Sequence, residues 1–247
     1  MTPEALLALF ETCAAAQRGA LRSLDVDARR GTTDRPGQYA LDLVADAAVL
    51  PLLHAAGVRV LSEESAWTGP EDAAYTVVLD PVDGSTNCSR GIPYWAISLC
   101  ALDAEGPVCS LVVNSATGQR NHAIRGSGAW CDDVTVRTAP TERLAEAVVA
   151  IAGDPPVALR WQQFRALGSA ALALCDVAAG RIDAYVDLVV HNSPWDYLGG
   201  LLMCQEAGAT VVDVGGRELL DVDVDSRRQL VATSTASLRR EIVAALP

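Results

Sequence analysis

Apolar positions in the first fifth of the chain recur at helical spacing. Leu6, Leu7, Phe10 and Cys13 share one face of a segment from Pro3 to about Ala20, and Pro3 suits a first helical turn. The same period returns over Leu41–Ala56 through Leu43, Val44, Ala47, Leu50 and Leu53, where Pro51 predicts a kink or break. Arg29–Gly37, with Gly, Thr, Asp and Pro, reads as a loop between them. From residue 58 the pattern changes. Val58–Ser62 is short and β-branched and runs into Glu63-Glu64. Tyr75–Leu79 is apolar throughout and ends at Asp80, where Pro81 is expected to stop the strand. Ala96–Leu102 and Val108–Asn114 are further strands about a Glu105-Gly106 turn, and Ala123–Ala129 with Val134–Arg137 suggest a hairpin.

The second half repeats the mixture. Ala147–Ala152 reads as a buried strand, and Ser169–Ala179 as a helix ended by Gly180. Ile182–Val186, with the run on to Val190, is strand-like. Tyr197–Ala207 reads as a helix ended by Gly208, Thr210–Val214 and Gln229–Ala232 as strands, and Ser237–Ala245 as a last amphipathic helix. These elements predict a layered α/β (α+β) protein of two packed lobes, about 1–140 and 141–247. No internal repeat or low-complexity linker divides it.

Composition narrows the chemistry. The chain has 247 residues, 50% hydrophobic and 20% charged, which suits a globular core and excludes a disordered scaffold. The net charge is −12, so no nucleic-acid partner is expected. All 19 basic residues are Arg, which rules out a lysine Schiff base or a P-loop lysine. Seven scattered Cys without a CxxC, no signal-like start and no long apolar run point to a reduced, cytoplasmic protein with no membrane partner. His54, His122 and His191 are far apart, which disfavours a zinc site.

Three acidic points stand at element ends: Glu63-Glu64, Asp80-Pro81-Val82-Asp83 and Trp195-Asp196. A single turn would bring Asp83 beside Asp80. Two carboxylates that close repel unless a cation or a proton intervenes. Oxygen ligands without His or Cys suit Mg²⁺, and the Val82 carbonyl is a further candidate ligand. Gly84-Ser85-Thr86-Asn87 offers backbone N–H groups and hydroxyls at a helix start, a place for phosphate. Taken singly, each point also reads as an ordinary turn or helix cap.

Together, Leu61–Ser65, Asp80–Asn87, Gly126–Trp130 and Trp195–Gly200 through Glu206–Ala209 resemble the inositol monophosphatase family of Mg²⁺-dependent, lithium-sensitive phosphatases. The resemblance runs from about residue 4 to residue 243. It implies an α-β-α-β-α layered fold, usually a homodimer, acting on a small phosphorylated metabolite. It also implies two Mg²⁺ held by Glu63, Asp80, the Val82 carbonyl, Asp83 and Asp196, with Asp83 shared between the ions. Glu63 and Ser85 would activate and orient the attacking water, with Asp46 orienting the Ser85 hydroxyl. Gly84, Ser85 and Thr86 would present N–H groups to phosphate, and Ala170 and Asp187 would meet the alcohol.

The chain departs from the family pattern at several places. Ser85 replaces Thr, Arg35 is the nearest cation where a lysine is common, and Ala40 stands where an acidic residue often does, which bears on a weak third metal site. Asp187 replaces Glu, and His191-Asn192-Ser193-Pro194 lengthens the approach to Trp195. Gly153-Asp154-Pro155-Pro156 opens a short segment where the family usually fits a helix, so the second lobe reads as trimmed. The substrate therefore stays open among inositol monophosphate, histidinol phosphate, fructose bisphosphate, adenosine 3′,5′-bisphosphate and a pathway-specific phosphate. A non-catalytic phosphometabolite-binding protein is the alternative class.

Overall fold

The computed structural model describes residues 1–155 and 159–246. Five layers are built from two sheets and three sets of helices. The first layer holds α1 (Pro3–Arg22) and α3 (Ala40–Ala55), with the short α2 (Val26–Arg30) between them in sequence. Leu6, Phe10 and Cys13 of α1 and Val49 and Leu53 of α3 are buried on one face of the first sheet. For α1 this is the face its helical spacing predicts. For α3 it is not: of the expected positions only Leu53 is buried, Leu43 and Ala47 face solvent, and the packed stripe runs through Leu41, Ala45, Val49 and Leu53. Pro51 lies inside α3 without ending it. A proline forfeits one N–H bond, and here the burial of Val49 and Leu53 holds the last turns in place.

The first sheet has eight strands: β1 (Arg59–Ser62), β2 (Ala66–Thr68), β3 (Thr76–Asp83), β4 (Ala96–Asp103), β5 (Gly106–Asn114), β6 (Arg120–Ile124), β7 (Gly128–Cys131) and β8 (Val134–Thr135). Their spatial order is β2-β1-β3-β4-β5-β6-β7-β8. The one-turn helix α4 (Ser85–Arg90) follows β3. The second sheet contains β9 (Val148–Ala152), β10 (Gln163–Arg165), β11 (Ala184–Asp187), β12 (Thr210–Asp213) and β13 (Leu230–Thr233), in the order β10-β9-β11-β13-β12. The boundary proposed near residue 140 falls between β8 and a 3₁₀ turn at Leu144–Glu146.

Helices α5 (Ala170–Ala178) and α6 (Pro194–Ala207) lie between the sheets, and α7 (Ala236–Ala245) covers the outer face of the second. The α-β-α-β-α order expected from the resemblance is the observed one. Helix α6 is buried nearly all round, as a middle layer requires. Two glycines allow its close approach. A Cβ on Gly199 would stand 2.6 Å from Ser98 Oγ, and one on Gly200 would stand 2.5 Å from Leu174 Cβ of α5.

Three further expectations change. Strand β3 does not stop at Asp80 but runs through Pro81 to Asp83, for a reason given below. The apolar run after Asp187 leaves the sheet, and Val189 and Val190 are exposed. Helix α6 starts at Pro194, because Pro at a first helical position has the right φ and loses no internal bond. In the segment that reads as trimmed, the described residues form the edge strand β10 and no helix; Pro156 lies outside them.

Gly200→Val is expected to destabilise the chain by about 2 kcal/mol or more, because the added carbons must displace Leu174. Urea denaturation measures this, and a loss under about 0.5 kcal/mol would show that the α5–α6 contact is slack.

Candidate active site

Side chains alternate along a regular strand, so residues 80 and 83 would face opposite ways. Here Asp80 pairs with Ser98 and Asp83 with Ala96, so three steps on β3 oppose two on β4. The bulge takes up one residue and turns both carboxylates to the same face. Pro81 sits in it, where a missing N–H is tolerated, and its carbonyl accepts from Gln17 Nε2 at 2.9 Å. The third acid, Asp196, stands in the first turn of α6, where it accepts from the N–H of Ser193, the residue that caps the helix. Carboxylate oxygens of Asp80, Asp83 and Asp196 all lie within 4.8 Å of one another.

Helix α5 meets this cluster end-on. Asp83 Oδ2 accepts from Ser169 Oγ at 2.6 Å and from the Ala171 N–H at 2.7 Å, and its Oδ1 from the Ala170 N–H at 3.3 Å. A strand of the first sheet therefore caps a helix of the middle layer. Glu63 follows β1, held through its N–H to the Leu79 carbonyl at 3.2 Å.

Burial raises all four acids, and repulsion by neighbouring carboxylates adds to it at Glu63, Asp80 and Asp196. Glu63 and Asp80 rise well above the usual carboxylate range, Glu63 next through Asp196 and Asp80 next through Glu63. Burial lifts Asp83 to about 6, against the donors of α5. Asp196 reaches about 7 through burial and the neighbouring Asp83, with His191 and Arg227 offsetting part of it. An oxygen-only set of buried, mutually repelling carboxylates fits a hard divalent cation.

The segment Asp80–Asn87, which ends β3 and opens α4, has a local logic. The Val82 N–H donates to Asp80 Oδ1 at 2.9 Å, and its carbonyl accepts from Ser85 Oγ at 2.9 Å. Gly84 opens α4 at φ 92°. A Cβ there would be 2.9 Å from the Gly168 carbonyl, so the position needs glycine twice over. Asn87 Nδ2 donates to the carbonyls of Tyr94 and Leu167, both at 2.7 Å, and so ties α4 to the segment that leads into α5. Thr86 Oγ1 lies 3.3 Å from the Tyr39 hydroxyl.

Two site assignments are corrected by the geometry. Asp46 does not reach Ser85. It accepts from Ser62 Oγ at 2.6 Å and from Ser65 Oγ, and so braces the turn that carries Glu63. The acid beside Ser85 is Asp42, one helical turn earlier. Burial raises Asp42, and the Ser85 hydroxyl and the Tyr39 N–H lower it; its Oδ1 is buried without a partner among the described residues. The spacing of four residues was the only sequence signal for it, and that spacing places both acids on one face.

The second correction concerns the cavity beside the cluster. This space, about 320 Å³, is walled by Asp83, Asp196, Ala150–Gly153, Ala166–Ala170, Ala173, Tyr185, His191 and Asn192. Ala170 lines it, as expected. Asp187 does not, being 0% exposed, and its carboxylate is engaged by its own loop.

Folding raises these carboxyls, so the native chain without metal holds protons that the unfolded chain has released. Its stability therefore falls as pH rises from about 4, the unfolded carboxyl value, through the folded values of about 6 and about 7. Protein in EDTA is expected to melt at a higher temperature at about pH 5 than at about pH 8, and saturating Mg²⁺ to remove most of the difference. A melting temperature independent of both would contradict the cluster's electrostatics.

Comparison with known proteins bears on this geometry. A model of the inositol monophosphatase family matches residues 14–246. The fructose-1,6-bisphosphatase/inositol-1-monophosphatase of Thermococcus kodakarensis is 32% identical over 209 residues, 83% of this chain and 81% of that one. The inositol-1-monophosphatase of Mesorhizobium japonicum is 36% identical over 181 residues, 67% of each chain. In fold, a Pyrococcus horikoshii protein described as having similarities to inositol-1 monophosphatase superposes with a TM-score of 0.91 over 100% of both chains, at 22% identity. The fold is thus shared, and with the family model matching nearly the whole chain, this chain belongs to the inositol monophosphatase family.

Proposed function

We propose that this phosphomonoesterase hydrolyses the monophosphate of a small polyol or sugar-like alcohol, of the inositol monophosphate type, with two Mg²⁺. The observation that supports this best is the convergence of Asp80, Asp83 and Asp196 within 4.8 Å beside a cavity of metabolite size. Glu63, Asp80, the Val82 carbonyl, Asp83 and Asp196 would hold the ions. When bound, Mg²⁺ would make water acidic enough to supply hydroxide near neutral pH and would neutralise charge on the leaving oxygen.

The chain's own groups do the rest. Glu63, buried beside the other acids, accepts a proton from the attacking water. Ser85 steers that water through its hydroxyl, with the Asp42 carboxylate beside it. The N–H groups of Ser85 and Thr86, in the first turn after Gly84, donate to phosphate oxygens. Ala150, Ala152, Ala166, Ala170 and Ala173 leave room for the alcohol. The non-catalytic alternative loses ground because Glu63, Ser85 and Asp42 are all in place. A homodimer and a cytoplasmic location belong to the same proposal, supported by the resemblance and by seven free, buried cysteines. No described helix is long and apolar enough to cross a membrane.

A bisphosphate substrate is the second reading, carried by the name of the Thermococcus relative. Among the described residues that line the cavity there is no arginine to meet a second phosphate, which favours a single ester.

Phosphate release from inositol 1-phosphate in Mg²⁺ tests the proposal. Asp83→Asn is expected to lower kcat by at least about 100-fold, with EDTA equally damaging to the wild type. Asp42→Asn is expected to cost about 10- to 100-fold in kcat through misdirected water, and Asp46→Asn less than Asp42→Asn. Unchanged turnover in Asp83→Asn would overturn the metal reading. Greater damage from Asp46→Asn would reverse the assignment of the two acids.

A further inference from the structure

Part of the wall of the cavity that Asp83 and Asp196 line is braced from behind by one buried carboxylate. Asp187 ends β11 and is 0% exposed. Its Oδ1 accepts from the Val189 N–H at 3.0 Å and pairs with His191 Nδ1 at 2.9 Å. Its Oδ2 accepts from Asn192 Nδ2 at 2.6 Å and from the His191 N–H at 3.2 Å. All four donors come from the next five residues. An aspartate is short enough to fold back onto its own loop in this way, as in an Asx turn. The loop is anchored at both ends: the Leu188 N–H donates to the Ala152 carbonyl at 2.9 Å, and Asn192 and Arg228 exchange backbone bonds at 3.3 and 2.8 Å.

This arrangement fixes the imidazole of His191. With Nδ1 turned to the carboxylate, Nε2 points away from it and takes no protein partner among the described residues. The ring is about half-exposed, with 52% of the side chain accessible, and it lines the cavity that Asp83 and Asp196 also line. Beside it, the Tyr185 hydroxyl donates to Asn192 Oδ1 at 3.1 Å, which leaves the Tyr185 oxygen free to accept. The rest of the wall there is Ala150, Ile151, Ala152 and Ala173, which have no side-chain polar atoms. The polar groups this side offers an alcohol are therefore few, and they are braced from behind by Asp187.

We propose that His191, held by Asp187, is the specificity-determining residue of this site, its Nε2 hydrogen-bonding a ring hydroxyl of the alcohol portion of the substrate. This rests on the phosphatase reading and deepens it. A hydroxyl both donates and accepts, so it suits Nε2 with or without its proton. Asp187 is the positioning residue, and it never touches the substrate.

The test compares two esters with the same six-membered ring: inositol 1-phosphate and cyclohexyl phosphate, which has no hydroxyl groups. In His191→Ala the ratio of kcat/KM for the first over the second is expected to fall about ten-fold, mostly through KM of the inositol ester. His191→Gln, which can place an amide near the Nε2 position, should recover at least about a third of the ratio. Asp187→Asn should lower the ratio in the same direction as His191→Ala, with the melting temperature separating misfolding from misplacement. A ratio that stays within two-fold of wild type in His191→Ala, or a wild type with no preference for the hydroxylated ring, would overturn the assignment. A wild type that hydrolyses neither ester would overturn the phosphatase reading itself, and the assignment with it.

Discussion

Gathering carboxylates out of water at one point is the constraint around which the molecule is arranged. Glu63, Asp80, Asp83 and Asp196 each lose hydration and each repel the others. The protein offsets part of this with helix ends. Asp83 receives the first N–H groups of α5, and Asp196 sits in the first turn of α6. Both helices thus present the positive end of their dipoles to the cluster, each worth about 0.3–1 kcal/mol. The remainder is left for a divalent cation. The same contacts join the layers, since Asp83 belongs to the first sheet and the N–H groups it receives belong to the middle layer. Site and fold cannot be perturbed independently there.

The supports of the site follow a similar economy. Asp46 braces the turn that carries Glu63 through Ser62 and Ser65. Glu64, next to it, is held by Gln38 and faces Arg35 at 3.5 Å, and so anchors the loop before α3. Asn87 ties α4 to the entry of α5. Each of these polar side chains belongs to a sequence motif, yet its bonds go to neighbouring elements that hold the acids in place.

The wall proposed to meet the alcohol is organised separately. The acid at 187 and the loop after it act as one unit. The aspartate is consumed by the loop, and the loop in exchange presents a histidine. Substrate selection in such a site depends on a few loop atoms, whereas the metal chemistry depends on strand and helix ends.

The chain's periodicities placed most of the helices and strands, its motifs singled out the four acids, and the order of the layers came from the family resemblance; the short α2, β2 and β10 went unread. Buried apolar faces recur with the period of the element that carries them, and hard-cation chemistry needs oxygen ligands in a compact motif. What lay beyond the sequence turns on direction. Asp42 and Asp46 share one helix face about 6 Å apart along the axis, and only packing against Ser85 on one side and Ser62 on the other separates their duties. Pro81 ended a strand on local grounds, until the bulge opposite Ser98 and Ala96 gave it a place. Asp187 is an acid beside a pocket in sequence, but a buried loop anchor in space. Local rules fix which groups exist and which elements they occupy; where a side chain points is settled by partners distant in sequence, and only the assembled layers supply those.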